Sequence, residues 1–364
     1  MDDTPSKMKI LFLGEPSSPN TMSWVEGLRE LGCEVVLAST RSDGTDGVWP
    51  IGPVGLPAKL RALLGAADVK HLVRDIQPDI LIAYRITSYG YLAAKSGFHP
   101  LVMAAQNEGI VFLRTPSWWR RKLLERFARF AIGEADMLHA WSPNIRDGLL
   151  EFGAEGNKIL TKHRGIDLSG VPEKPRNGRK FDPERPVFVS TRSLYPEYKI
   201  DTTLKAFRRI LDYIPEATLK IAGDGPERAA LKALAEELEI KDNVAFTGRL
   251  PREKLDAELK TSDIYVSIIA TEGMSSSLIE AVAHGLLPVV WDMPASRTLV
   301  ENGVNGILVD DDHMDDIASA MGRAAAEFAD FEPALAKAAE KTKNDFDRRE
   351  NIAAFLKEYE RLPK

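Results

Sequence analysis

The sequence predicts an α/β protein made of two doubly wound, Rossmann-like domains facing each other across a cleft. Three observations lead there. Short apolar runs alternate with helix-length amphipathic stretches from Lys9 to Thr161, the alternation stops over 173–186, and it restarts at Val187. A chain of 364 residues is also long enough for two cores. The expected organisation is an N-terminal domain over 1–172, a linker over 173–186, a C-terminal domain over 187–345, and a final helix over 346–364 that packs back toward the first domain.

Taken in order, 9–14 is a continuous apolar run, as a strand covered on both faces requires. Residues 21–31 carry helical spacing and stop at Gly32. Strands follow at 34–38, 78–83 and 100–105; another at 135–140 comes after a long helix, and 158–161 closes the first sheet. The stretch 173–186 is rich in Pro, Lys, Arg and Gly and has no apolar period, which reads as a linker. The second sheet takes strands at 187–190, 218–222, 244–247, 264–269 and 288–291. One helix begins at Pro226, proline being favourable at the first helical position, and another spans 317–328.

Composition narrows the chemistry. The content of 44% hydrophobic and 28% charged residues suits a soluble globular protein. A net charge of −6 offers no general attraction to nucleic acid. The single cysteine, Cys33, excludes a disulfide framework and reads as a small buried residue in a reducing compartment. No apolar run approaches the roughly 18 residues of a membrane span, and the first seven residues lack a signal core, so a cytoplasmic protein is expected. No G-x-G-x-x-G follows the first strand, which disfavours a nicotinamide dehydrogenase. The six histidines show no ligand spacing, and the acids of 310–316 read as first-turn residues of the 317–328 helix rather than a metal site.

The most informative window is Thr271-Glu-Gly-Met-Ser-Ser-Ser-Leu-Ile-Glu280-Ala-Val-Ala-His-Gly285. Ser275 or Ser276 can cap a short helix there and Gly285 can end it. A carboxylate just before the helix, Glu272, can bond polar hydroxyls while the bare amides beyond it suit an anion, and a second carboxylate eight residues on, Glu280, can grip a diol with both oxygens. The alternative is a capping box from Ser277 to Glu280, which makes Glu280 structural.

Three stretches then carry a resemblance: Thr191-Arg-Ser-Leu-Tyr-Pro-Glu-Tyr-Lys199; Ala222-Gly-Asp-Gly-Pro226 with Phe246-Thr-Gly-Arg249; and the 271–285 window continuing to Pro288-Val-Val290 and Glu301-Asn-Gly-Val-Asn-Gly306. Together they resemble the donor-binding half of a GT-B glycosyltransferase of the retaining, nucleotide-sugar-dependent family four (glycosyl transferases group 1). The resemblance extends more loosely through residues 9–14, 89–100 and 135–142.

It implies that Arg192 and Lys199 meet the donor diphosphate, with the amides of Gly273, Met274 and Ser275 adding helix-terminus stabilisation. It assigns Glu272 to hydroxyls of the transferred sugar, Glu280 to the donor ribose, and Gly248 with Arg249 to the base pocket. On the acceptor side it points to Gly14 in the first loop and to Gln106 or Glu108, where many members carry a histidine. The Arg192–Lys199 spacing is longer than usual in the family. No metal or cofactor is expected beyond the NDP-sugar substrate.

The implied activity is transfer of a hexose-type sugar to a polysaccharide, glycolipid or lipid-linked acceptor. The alternatives are an NDP-sugar epimerase of the same fold and a catalytically silent sugar-nucleotide-binding module. One further segment, 117–130, sets Trp119, Leu123, Phe127 and Phe130 on one helical face, with five basic residues against Glu125. It reads either as a helix lying on an anionic membrane surface, making the protein peripheral at the inner face, or as a packed helix with a basic solvent side.

Overall fold

The computed structural model describes residues 8–44, 47–105, 117–269, 274–310 and 313–363. They form two compact units, Met1–Ile166 with Arg348–Lys364, and Asp167–Asp347.

Unit 1 is built on seven strands: β1 (Lys9–Leu13), β2 (Glu34–Ser39), β3 (Trp49–Pro50), β4 (Ile80–Tyr84), β5 (Leu101–Ala105), β6 (Met137–Ala140) and β7 (Ile159–Thr161). All pairings are parallel, in the order β3-β2-β1-β4-β5-β6-β7. Every side chain of β4 and β5 is buried, which is why these strands read as unbroken apolar runs. Strand β3 carries no such run. It is a two-residue edge strand containing Pro50, the kind of place that tolerates a missing ladder donor.

The helix Arg348–Tyr359 belongs to unit 1. It buries Ile352, Phe355 and Tyr359, with the Phe355 ring 6.0 Å from Trp24 and 4.3 Å from His139. Gly27 makes room for it, because a Cβ there would sit 2.3 Å from the end of Ile352. Arg348 fixes its start with contacts of 2.7 and 2.8 Å to the two carboxylate oxygens of Glu30. The helix is shorter than 346–364 because Asp347 is extended and Phe346 ends the preceding helix, Phe328–Phe346.

Unit 2 has six parallel strands, β8 (Val187–Ser190), β9 (Thr218–Ile221), β10 (Val244–Phe246), β11 (Ile264–Ser267), β12 (Leu287–Trp291) and β13 (Ile307–Val309), ordered β10-β9-β8-β11-β12-β13. Each sheet reverses its strand order once, between β1 and β4 and between β8 and β11. Ligands of doubly wound sheets bind beyond the carboxyl ends of strands at such a switch.

Residues 173–186 are not a free linker; they lie in unit 2. The buried Arg176 donates to Asp263 at 2.9 Å and to Glu332 at 2.5 Å, Arg179 reaches the same Asp263 at 2.5 Å, and Phe181 stacks on Phe328 at 4.1 Å. The Arg176 amide donates to the carbonyl of His284 at 2.7 Å. Charge and one ring hold this segment, so it shows no apolar period. Two helix starts also differ from the sequence expectation. Pro226 and Glu227 form a turn and the helix is Arg228–Glu237, because the Glu227 amide is drawn to the carbonyl of Leu194. The 317–328 helix is Met314–Ala326, with Asp315 and Asp316 in its first turn.

Three histidines are buried and held neutral. Burial pushes His139 down to about 3 and His284 down to about 4; burial and then Arg164 hold His163 well below its usual value. The unfolded chain binds protons here that the folded chain does not, so stability rises with pH through this window. We expect the melting temperature to fall as pH drops from about 6.5 toward 4, each histidine contributing up to ~1.4 kcal/mol per pH unit. His139→Gln should flatten that dependence in thermal melts taken across the range.

Candidate active site

Beyond β8 the chain turns through Arg192, whose guanidinium is buried. Its Nη1 donates to Ser275 Oγ at 2.8 Å and Ser277 Oγ at 2.6 Å, and the group stacks 4.4 Å from the Tyr198 ring centroid. Tyr265, on β11, donates its hydroxyl to Ser277 Oγ at 2.9 Å. Arg192 therefore docks on the start of the helix Ser276–Ala283. Of the two cap candidates Ser275 is the cap; its Oγ accepts the Leu278 amide at 3.4 Å. Gly285, at φ +80°, ends this helix, with its amide on the Val282 carbonyl and that of Leu286 on Ala281. Met274 is half-buried just before the cap. Glu272 and Gly273 lie outside the described residues.

The long Arg192–Lys199 spacing has a local explanation. Leu194 is buried in the core, and Pro196–Tyr198 is a 3-10 turn, so the extra residues fold into one tight loop. Lys199 sits at φ +47° before the helix Ile200–Ile210, its ammonium 5.1 Å from the Trp291 ring at the end of β12. Tyr198 and Trp291 both pack on Ile269, Met293 and Ala295. This shared apolar patch brings the two cations to the same carboxyl edge.

The Gly223-Asp-Gly225 turn props this loop from behind. A Cβ at Gly223 would fall 2.0 Å from the Arg192 carbonyl, and one at Gly225 would fall 2.3 Å from that of Leu194. The Leu194 amide donates to the Asp224 carbonyl at 3.0 Å. Gly248 turns at φ +74° beside Arg228, which pairs with Asp224 at 2.9 Å, and Arg249 next to it is exposed.

Glu280 is not a capping-box partner. Its Oε1 accepts from Arg252 Nη1 at 2.5 Å, and Arg252 forks onto Asp256 with contacts of 3.0 and 2.7 Å. His284 Nδ1 lies 2.8 Å from the Glu280 carbonyl, so the neutral ring carries its proton there and turns Nε2 toward Asp256 Oδ1, 3.5 Å away. The sequence reading missed Arg252, Asp256 and His284. The signal available was two i,i+4 polar pairs, 252/256 and 280/284, on consecutive helices.

In unit 1, the Gly14 amide donates to the Ala38 carbonyl at 3.1 Å, and a Cβ there would meet Thr21 at 2.8 Å. Beside it, the buried Glu15 pairs with Arg41 at 2.9 Å and Arg85 at 3.1 Å and accepts from Ser17 at 3.0 Å. Sequence reading missed that cluster as well. Ser18 stands at the helix start without a side-chain capping bond. Gln106 and Glu108 lie outside the described residues.

The helix Trp118–Glu134 is divided along its length. Phe127 and Phe130 pack on Tyr91, at 4.3 and 5.8 Å between rings, as a helix docked on its own unit does. Trp118 and Trp119 are 69% and 54% exposed, and Leu123 is exposed with them. Among the described residues no group of three or more acidic, histidine or cysteine side chains is placed to hold a metal, and no helix is long and apolar enough to cross a membrane.

Two family descriptions match the chain: Glycosyl transferases group 1 over residues 172–343 and Glycosyl transferase 4-like over residues 9–132. It is 25% identical over 287 residues to sulfoquinovosyl transferase SQD2 of Arabidopsis thaliana, a match covering 74% of this chain and 54% of that protein. To the alpha-monoglucosyldiacylglycerol synthase of Streptococcus pneumoniae it is 29% identical over 212 residues, covering 56% of this chain and 47% of the synthase. The chain thus spans about half the length of these curated relatives. Among solved structures, HepE of Anabaena, crystallised with UDP and glucose, aligns over 98% of this chain and 100% of its own, with a TM-score of 0.77 at 17% identity. Sucrose-phosphate synthase of Thermosynechococcus elongatus gives the same TM-score at 16% identity, over 97% of this chain and 98% of that one. With both units accounted for and the fold matched end to end, the chain belongs to the group 1 glycosyltransferases and has their GT-B fold.

Proposed function

We propose that the protein is a retaining glycosyltransferase that moves a hexose-type sugar from an NDP-sugar to a glycolipid or other lipid-linked acceptor, without a divalent metal. One observation carries the donor half of this reading: the buried Arg192 is pinned against the N-terminus of Ser276–Ala283. A cation beside the positive end of a helix is unfavourable by itself. A diphosphate offsets both, taking charge-assisted bonds from the guanidinium and from the free amides. Lys199 adds a second positive charge, so the negative charge developing on the leaving group is met by protein groups where other enzymes use a metal. Glu280 is the ribose grip and Glu272 the group for the transferred sugar. Retention is inferred from the family.

The lipid acceptor draws support from the names of the relatives and from the helix Trp118–Glu134. Exposed Trp118 and Trp119 stand among Arg120, Arg121 and Lys122, the combination that seats a helix on an anionic bilayer surface.

A panel of nucleotide sugars tests the reading. One NDP-sugar should raise the melting temperature, and adding a diacylglycerol-type acceptor should release nucleotide and give a glycoside with the donor's anomeric configuration by NMR. A sugar epimerised without nucleotide release would favour the epimerase instead. Stabilisation with no change of the sugar would leave a silent binding module. Lys199→Ala should lower kcat about 100-fold and donor affinity much less, since diphosphate charge grows in the transition state. Normal turnover in that variant would leave the leaving group to Arg192 alone. Flotation with vesicles containing phosphatidylglycerol should recover the wild-type protein, and replacing Trp118 and Trp119 by serine or raising the salt should abolish recovery. Equal recovery on neutral vesicles would remove the membrane role.

A further inference from the structure

We infer that Arg252 is a positioning residue for Glu280, fixing the carboxylate that grips the donor ribose; the inference rests on the donor site proposed above. Arg252 is the first residue of the helix Arg252–Lys260, where the helix dipole disfavours a cation, so its charge must be met by side chains. Asp256, one turn along, meets it from behind with a two-point contact of 3.0 and 2.7 Å. Asp256 is itself buried. Gly170 passes so close that a Cβ there would fall 1.8 Å from Asp256 Oδ2.

The rigidity therefore runs outward. A buried carboxylate locks one edge of the guanidinium, and the other edge presents Nη1 to Glu280 Oε1. A glutamate has three rotatable side-chain bonds, and a diol needs both carboxylate oxygens in one plane. A fixed arginine supplies that plane in advance. An ionised carboxylate has about four lone-pair sites, so a bond from Arg252 leaves capacity for two ribose hydroxyls. Were Arg252 only a helix-start ornament, the Asp256 contact would satisfy it; its second contact crosses to the helix that carries the ribose grip.

The test is a double-mutant cycle read by calorimetric titration with UDP, GDP and ADP. Arg252→Gln should weaken the tightest of the three by about tenfold, the scale seen when a supporting partner is lost. In turnover the loss should fall on donor KM more than on kcat. Arg252→Lys should recover part of the binding, because a point charge replaces one arm of the fork. The double variant Arg252→Gln with Glu280→Gln should bind no more weakly than Glu280→Gln alone. Additive losses would mean that Arg252 acts independently of Glu280, and would overturn the inference. So would wild-type binding by Arg252→Gln, while a loss in Glu280→Gln would leave the donor site standing. If Glu280→Gln binds normally, or the wild type binds none of the three, the donor-site reading falls and takes this one with it. Should Arg252→Gln fail to fold, the cycle runs with Arg252→Lys, whose loss must likewise vanish in the Glu280→Gln background.

Discussion

The carboxylate of Asp263 governs the geometry of unit 2. It stands fully buried at the head of β11 and gathers Arg176, Arg179 and the backbone amide of Val187. Its own amide donates to the Val187 carbonyl at 2.8 Å. These contacts set β8 beside β11 at the strand-order reversal, and the two loops that carry Arg192 and the serine-capped helix leave from the far ends of those two strands. A buried charge is tolerable only when paired and bonded on all sides, and removing one partner typically costs about 3–5 kcal/mol. The side chains beyond Ser190 and Ser267 face one another because the near ends are held in register.

At those far ends the electrostatics are lopsided by construction. Arg192, Lys199 and a helix N-terminus lie along one edge, with Tyr198 and Trp291 as their aromatic supports. Serine hydroxyls accept from the guanidinium and fix its position. About one helical turn into Ser276–Ala283, a carboxylate is held by an arginine that is held in turn by another carboxylate. Positive potential and the acidic side chain are kept apart by the first turn of the helix Ser276–Ala283. This is the charge order of a nucleoside diphosphate reversed: phosphates at one end, ribose hydroxyls at the other.

Much of this was legible in the sequence, and the reasons are physical. Strands covered on both faces must be apolar throughout, so β1, β4, β5, β8 and β11 announce themselves. The Arg192–Lys199 loop was legible because it directly follows such a strand. The unusual length of that loop is taken up by the tight turn Pro196–Tyr198, which no residue pattern announces. Arg252, Asp256 and His284 were opaque because each alone is an ordinary residue, and their meaning comes from two helices meeting side by side. Strand β3 has too few residues to show a pattern. The 173–186 segment misled for the opposite reason, since its polarity marks buried ion pairing rather than exposure.

That segment has a practical corollary for dissecting the molecule. It begins where Lys343 Nζ grasps the carbonyl of Pro172 at 2.6 Å, and it passes Gly285 so closely that a Cβ there would fall 2.4 Å from that of Pro175. A recombinant fragment cut at the compositional break, starting at Val187, would strip Arg176 and Arg179 from a carboxylate sealed away from water. It would also unroof the C-terminal end of the helix that presents Glu280. A fragment carrying unit 2 alone has to start at or before Asp167, upstream of the point where Gly170 closes on Asp256.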